Sequence, residues 1–156
     1  LDKLPEAQRD SMQNLLYSSW YDAEIFKNFN KAIVEVLGGR SPNISEKIGE
    51  MTAEASMQGV YSSKLKKDSV LKTLDRTSSL YKAFHDTGEF EIEQKTDNSV
   101  VMRVKGYALP HKEFCENLTG WGRRLIQMAG GRNARVVKTS CVCNGDPVCE
   151  WSASWE

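Results

Sequence analysis

Four cysteines carry the chemistry this sequence can offer: Cys115, then Cys141, Cys143 and Cys149 near the end of the 156 residues. The last three fall in the run Cys-Val-Cys-Asn-Gly-Asp-Pro-Val-Cys, residues 141–149. Asn144-Gly145 is a hairpin signal, because both residue types tolerate the positive φ of a type I′ turn. Alternation along a strand turns Cys141 and Cys143 to one face, and a tight turn returns Cys149 beside them. Three thiols then crowd one end of a hairpin, and Cys115 reaches in as a fourth donor to a soft, tetrahedrally coordinated metal. Spacing alone leaves two other outcomes open. The thiols can be buried as small apolar side chains, or they can pair as Cys115–Cys149 or Cys141–Cys149 disulfides. Cys141 and Cys143, two apart on one strand, are poorly placed to bridge each other.

The elements that must position these thiols are readable as pattern. Helices are expected over Glu6–Ser18, with Pro5 ahead of it and Met12, Leu15 and Leu16 apolar, and over Tyr21–Leu37. The second carries the stripe Ile25, Phe26, Phe29, Ile33, Val36 and Leu37, and Gly38-Gly39 stops it. A third runs from Asn43 to about Tyr61, with Ser45 as N-cap and Ile48, Met51, Ala55 and Met57 buried. Asp68 caps a fourth through Val70, Leu74, Tyr81 and Phe84, ending near His85. At Gly88 the period changes from helix to strand. Phe90 and Ile92 alternate with glutamates, Asp97-Asn98 turns the chain, and Val100, Met102 and Val104 return it. Pro110 opens a helix to about Met128, stopped by Gly130-Gly131. Arg132–Cys143 and Val148–Trp155 supply the last strands, with Val137, Thr139, Cys141 and Cys143 on one face and Cys149, Trp151, Ala153 and Trp155 on one face of the partner. The expected class is α+β: N-terminal helices packed on an antiparallel sheet of two hairpins with a helix between them, in one domain, 1–156, helical over 1–87.

Composition narrows the function. Lysine plus arginine equals aspartate plus glutamate, 21 each, so no global field favours nucleic acid or acidic lipid. The basic run Lys64-Leu65-Lys66-Lys67 reads as a solvated linker. No apolar stretch approaches the ~20 residues of a membrane span, and no charged-then-apolar leader is seen. Thiol-rich chemistry without such a leader points to a reducing, cytoplasmic setting, and so to metal over disulfide.

A cysteine in the first turns of a helix, Gly120-Trp121 soon after, and then a strand leading to the Cys141…Gly145-Asp146-Pro147-Val148-Cys149 hairpin that ends in an aromatic residue together resemble the 4-vinyl reductase domain family. The resemblance covers Gly106 to Trp155. That family includes hydrocarbon-binding proteins and the sensor portions of phenol- and toluene-type transcriptional activators. Its fold is similar to vesicle-tethering transport protein particle subunits and haem nitric-oxide sensors. What the resemblance implies is a structural zinc ion held by three cysteines, matched here by Cys115, Cys141 and Cys149, and by an acidic residue three positions before the middle cysteine. Lys138 stands at that position, and an ammonium cannot ligate zinc. Cys143 is the natural substitute, and His111, one helical turn before Cys115, is the second candidate.

Catalytic groups are sparse. The two histidines, His85 and His111, fall near helix ends, and no phosphate loop, Ser-His-Asp set or paired carboxylates are seen. A four-cysteine zinc site is closed, so no enzyme activity is expected. A haem is not expected either: Tyr61-Ser62-Ser63-Lys64 matches the sensors' tyrosine-serine-arginine signature only superficially, with Leu65 at the arginine position. The resemblance implies instead a regulatory domain that holds a small hydrophobic or aromatic molecule between helices and sheet. Tyr81, Phe84, Tyr107, Trp121 and Trp151, with Trp155, are the candidate lining, some with polar tips that can orient a ligand. A homodimer and a regulatory protein partner are also expected. The alternative is a non-sensing dimerisation or scaffold module that uses the Ile25, Phe29, Ile33 and Val36 stripe.

Overall fold

The computed structural model describes residues 1–16 and 19–156. Among these, six α-helices and a four-stranded antiparallel sheet form the expected α+β arrangement. The helices are α1 (Glu6–Gln13), α2 (Ala23–Leu37), α3 (Ile44–Gln58), α4 (Val70–Ser78), α5 (Tyr81–Phe84) and α6 (Lys112–Met128). The strands are β1 (Glu89–Thr96), β2 (Ser99–Lys105), β3 (Arg135–Ser140) and β4 (Cys149–Ser154), ordered β1-β2-β4-β3.

The sheet has one dry face because its apolar residues share register. Val100 pairs with Ala153, Met102 with Trp151 and Val104 with Cys149, and Phe90 and Ile92 continue the same rows on β1. Directly opposed residues share a face. The other face is polar: Arg103 binds Glu93 at 2.8 Å and Glu150 at 2.7 Å, and Lys105 binds Glu91 at 2.6 Å. On the dry face lies α6, which buries Phe114, Cys115, Leu125 and Ile126. Burying each of the larger apolar side chains contributes about 1.5–3 kcal/mol. The ring of Trp151 is 1% exposed, and its Nε1 donates to Thr119 Oγ1 at 2.8 Å.

The opposite side of α6 receives α3, and here the contact is backbone to backbone. A Cβ on Gly49 would stand 1.9 Å from the Asn117 carbonyl oxygen, and one on Gly120 1.9 Å from that of Glu46. Only glycine permits this approach. The face α3 buries is therefore Ser45, Gly49, Ala53 and Met57, while Met51 and Ala55 are exposed. The expected Met51 and Ala55 burial fails because apolar bulk was the guide and the interface uses small residues instead. Ser45, expected as the N-cap, sits inside the helix; Asn43 occupies the cap position. Arg123 ties the pair further, reaching Glu46 and Glu50 at 2.7 and 2.8 Å.

Other boundaries shift. The first helix ends at Gln13, with Leu15 and Leu16 exposed beyond it; its expected end at Ser18 lies outside the described residues. Ser69 rather than Asp68 caps α4, accepting from the Lys72 N–H at 3.4 Å. The expected fourth helix is two pieces, α4 and α5, with Ser79 and Leu80 between them. On α2 the fully buried residue is Asn30, and Phe26, Val36 and Leu37 are exposed. No helix among the described residues is long and apolar enough to cross a membrane.

The largest departure concerns the last hairpin. Val136 and Lys138 oppose Ala153 and Trp151 and so face inward, while Val137 is 58% exposed. The strand phase is thus opposite to that expected. A register shift between Lys138 and Ser140 then inserts an extra residue, reversing the phase and returning Cys141 to the interior. Val142–Asn144 form a 3-10 turn rather than strand, and Gly145 follows in the left-handed conformation (φ 92°). The positive φ falls at Gly145, but the hairpin is not a two-residue type I′ turn.

Candidate metal centre and adjoining pocket

The bulge, the 3-10 turn and the start of α6 bring the thiols together. The Sγ atoms of Cys115, Cys141 and Cys143 lie within 4.8 Å of one another. Cys115 Sγ is 3.6 Å from Cys141 Sγ and 3.5 Å from Cys149 Sγ. Four sulfurs around a tetrahedral zinc at ~2.3 Å would be about 3.8 Å apart. The Cys115, Cys141 and Cys143 sulfurs form a mutually close trio that fits such an ion, and Cys149, outside that trio, stands next to Cys115. The loop is sewn shut by Asp146, whose carboxylate accepts the Cys141 N–H at 2.7 Å, and by Ser140 Oγ, which donates to the Val148 carbonyl at 2.6 Å. Asp146 belongs to the hairpin motif read from the sequence, where it has no assigned role; its place just after a turn glycine and before a proline marks it as a turn residue.

Burial and mutual proximity disfavour the thiolate at three of the four cysteines. Burial, then the neighbouring thiols, pushes Cys115 far up. Burial also raises Cys149 and Cys143. For Cys141 burial acts upward too. Hydrogen bonding from the Cys143 backbone and Cys115, and the Lys138 charge, outweigh it, and this thiol falls below its ordinary value. Lys138 occupies an inward register position and its charge acts on both Cys141 and Cys143. A dication would favour the thiolate at all four, reversing the balance for Cys115, Cys143 and Cys149 and reinforcing it for Cys141.

His111 stands apart from the thiol group. It occupies the N-cap position of α6, with Nδ1 2.9 Å from the Leu109 carbonyl oxygen and its ring against Phe26 and Phe114. Burial lowers its pKa, and the buried Nε2 has no partner.

Beside the thiols lies a cavity of about 250 Å³ lined by Val104, Gly106, Tyr107, Pro110, Phe114, Val142, Pro147 and Cys149. Of the aromatic residues singled out from sequence, Tyr107 lines it. Tyr107 stacks on Phe114 at 4.6 Å, and its buried hydroxyl has no partner. Tyr81 belongs to the adjoining aromatic cluster, 4.5 Å from the His85 ring, which is in turn 5.3 Å from Tyr107. The Tyr81 hydroxyl is also unpaired, and burial raises its pKa and lowers that of His85. Trp151 and Trp155 are core, Trp121 packs against the core, and Phe84 is half exposed against Tyr61. Pro110, Val142 and Pro147 were not read as lining; only the folded loop brings them to one place.

No family model and no curated protein matches the chain. Solved structures do. An H-NOX protein from S. oneidensis in the Fe(II)NO ligation state superposes with a TM-score of 0.70 at 10% identity, covering 99% of this chain and 84% of that one. The phenol-responsive sensory domain of the transcription activator PoxR, with phenol, gives 0.61 at 13% identity, covering 97% and 92%. A trafficking protein particle complex subunit 3 from Naegleria fowleri, covalently bound to palmitic acid, gives 0.52 at 13%, covering 86% and 90%. The chain shares their fold.

The haem of the H-NOX neighbours would find no histidine in the lining of either cavity described here. The cavity between α6 and the sheet is below the ~300–1,000 Å³ typical of pockets for drug-sized molecules, and neither histidine lines it. A larger groove of about 700 Å³, at the Asn98 and Trp155 end of the sheet, has no histidine, cysteine or methionine in its lining.

Proposed function

We propose that this domain is a regulatory sensor that binds a small, largely apolar or aromatic molecule in the cavity beside the thiols, with a structural zinc ion bracing one wall. The observation that carries the reading is the shared loop: Val142, Pro147 and Cys149 line the cavity, and the same segment brings three thiols to Cys115. Zinc would be held by Cys115, Cys141, Cys143 and Cys149 in a closed site, where it supplies rigidity rather than an open coordination position. The unpaired Tyr107 hydroxyl is the group available to orient a polar atom on an otherwise apolar ligand. The fold shared with a phenol-responsive domain and the 4-vinyl reductase resemblance support this reading, and neither brings a catalytic group with it. The reading is of a non-enzymatic domain, supported by a closed site that gives zinc no open coordination position, and of a cytoplasmic one, supported by free thiols that suit a reducing compartment.

Phenol serves as the probe. It should shift the ring resonances of Tyr107 and Phe114 saturably and raise the melting temperature by mass action. Filling the cavity with Val142→Phe should abolish both effects. Tyr and Phe resonances unmoved at millimolar phenol, with zinc bound, would remove the sensor reading. The scaffold reading is favoured by Phe26, Val36 and Leu37, exposed along α2. A stable dimer that takes up no probe would support it.

A further inference from the structure

Lys138 cannot ligate zinc, yet the fold places it beside the thiols. It opposes Trp151 on β4, whose ring is 1% exposed, so its side chain leaves the strand on the inner face of the sheet. The next residue shows the alternation: Thr139 Oγ1 donates to Glu150 at 3.0 Å on the wet face, where Glu150 also holds Arg103. Lys138 is thus turned away from Glu150. It is partly buried, and among the described residues it forms no ion pair. Past the register shift Cys141 also turns inward, and the Lys138 charge acts on Cys141 and Cys143.

Four thiolates around one dication leave two negative charges uncompensated, and three of the four sulfurs are buried. The Asp146 carboxylate, which accepts the Cys141 N–H at 2.7 Å, adds a third. Charge of one sign taken out of water is costly unless an opposite charge stands near it. We infer that Lys138 is the counter-ion of the metal centre: from outside the coordination shell its ammonium offsets part of the thiolate charge and so strengthens retention of zinc. This rests on the zinc reading above. A lysine suits the role because its ammonium is a compact positive charge with no acceptor atom, so it cannot compete with the sulfurs for the ion. The competing account is that its aliphatic stem merely covers Trp151 while the head stays in water.

The experiment compares Lys138→Gln, which removes the charge, with Lys138→Arg, which keeps it, in the whole chain at one pH. Zinc is competed against a coloured chelator, and cobalt(II) is loaded in its place to read the sulfur-to-metal charge-transfer band. Lys138→Gln should hold zinc about tenfold less tightly, the order expected of one unit charge near a partly screened site. Its cobalt band should move to lower energy, because the thiolates lose a stabilising positive charge. Lys138→Arg should restore both. The wild-type chain gives a check that needs no variant: zinc loading should protect Lys138 from amine acylation, read by peptide mass, and leave the exposed Lys72 as reactive as before. Equal zinc retention with an unmoved band in Lys138→Gln, an arginine variant that behaves like the glutamine one, or no protection of Lys138 overturns the inference and leaves the zinc reading standing. A wild-type chain that takes up no zinc ends both.

Discussion

The two hairpins of the sheet are built on different principles. β1 and β2 hold register from Glu89 to Gln94, turn at Asp97-Asn98, and lace their polar face with Arg103, Lys105 and glutamates. β3 and β4 slip register beside Lys138, close through a 3-10 turn, and aim their thiols at a cysteine on α6. The first hairpin is specified by its own alternation. The second ends in a thiol site that part of another element completes, so on the zinc proposal its conformation should depend on what the site holds.

The sharpest test of that difference is metal removal. If zinc is bound at ~1,000 times its Kd, it contributes about 4 kcal/mol, which for a domain of this size is roughly 8–16 °C in melting temperature. Chelation should lower the melting temperature by that order. Hydrogen exchange should quicken over 141–149 and leave 89–105 protected. Equal loosening of both hairpins would break the comparison, and no loss on chelation would end the zinc proposal.

A change in the shared platform should behave differently. Gly120→Ala places a methyl group 1.9 Å from the Glu46 carbonyl oxygen and 2.6 Å from its carbon, so backbone must give way. A cost of about 1–3 kcal/mol is expected. Because α6 packs over β3 and β4 and meets Met102 of β2 beside Gly122, exchange should rise in both hairpins, with zinc retained. Loosening confined to 141–149 would mean that α3 acts on the thiol loop alone.

How far the sequence is legible follows the same division. Phe90, Ile92, Val100, Met102 and Val104 show period 2, and they form β1 and β2 within a residue or two of where that period places them. On β3, Val136 and Val137 are adjacent valines, and either phase satisfies the pattern. The bulge that decides the matter leaves no mark in composition. The four thiols were legible as a group through the turn residues, although the turn itself is of another kind. The cavity was not, because its walls come from β2, the segment before α6 and the thiol loop, which are remote in sequence. The α3–α6 contact was missed for a related reason: Gly49 and Gly120 look like helix weaknesses until a second helix lies against them.

Acid should expose a smaller contrast. Burial lowers the pKa of His85, against a modest opposing pull from Asp86, and the ring packs on Tyr81, Tyr107 and Phe114 at the start of the first hairpin. The unfolded chain then binds the proton first, so stability is full above about pH 6.5 and falls as pH drops toward the folded value. With chelator present throughout, melting temperature should still decline from pH 7.5 to 5. His85→Gln should flatten that slope without altering zinc content at neutral pH. A slope unchanged in the variant would move its origin to His111, whose pKa burial also lowers.

The least effect is expected where the first hairpin is most visibly decorated. Arg103 joins Glu93 and Glu150, and both carboxyls are held below their ordinary range, first by hydrogen bonds to Lys95 and Arg103 for Glu93, and to Arg103 and Thr139 for Glu150. These pairs lie on the wet face, where water and salt screen them and two long side chains must be ordered to form them. Arg103→Gln should therefore leave the melting temperature near that of the wild type, with any difference vanishing at high salt. The dry rows Val100–Ala153 and Met102–Trp151 continue to hold the strands. A loss in this variant comparable to that on chelation would show that the first hairpin, too, depends on contacts beyond its own alternation.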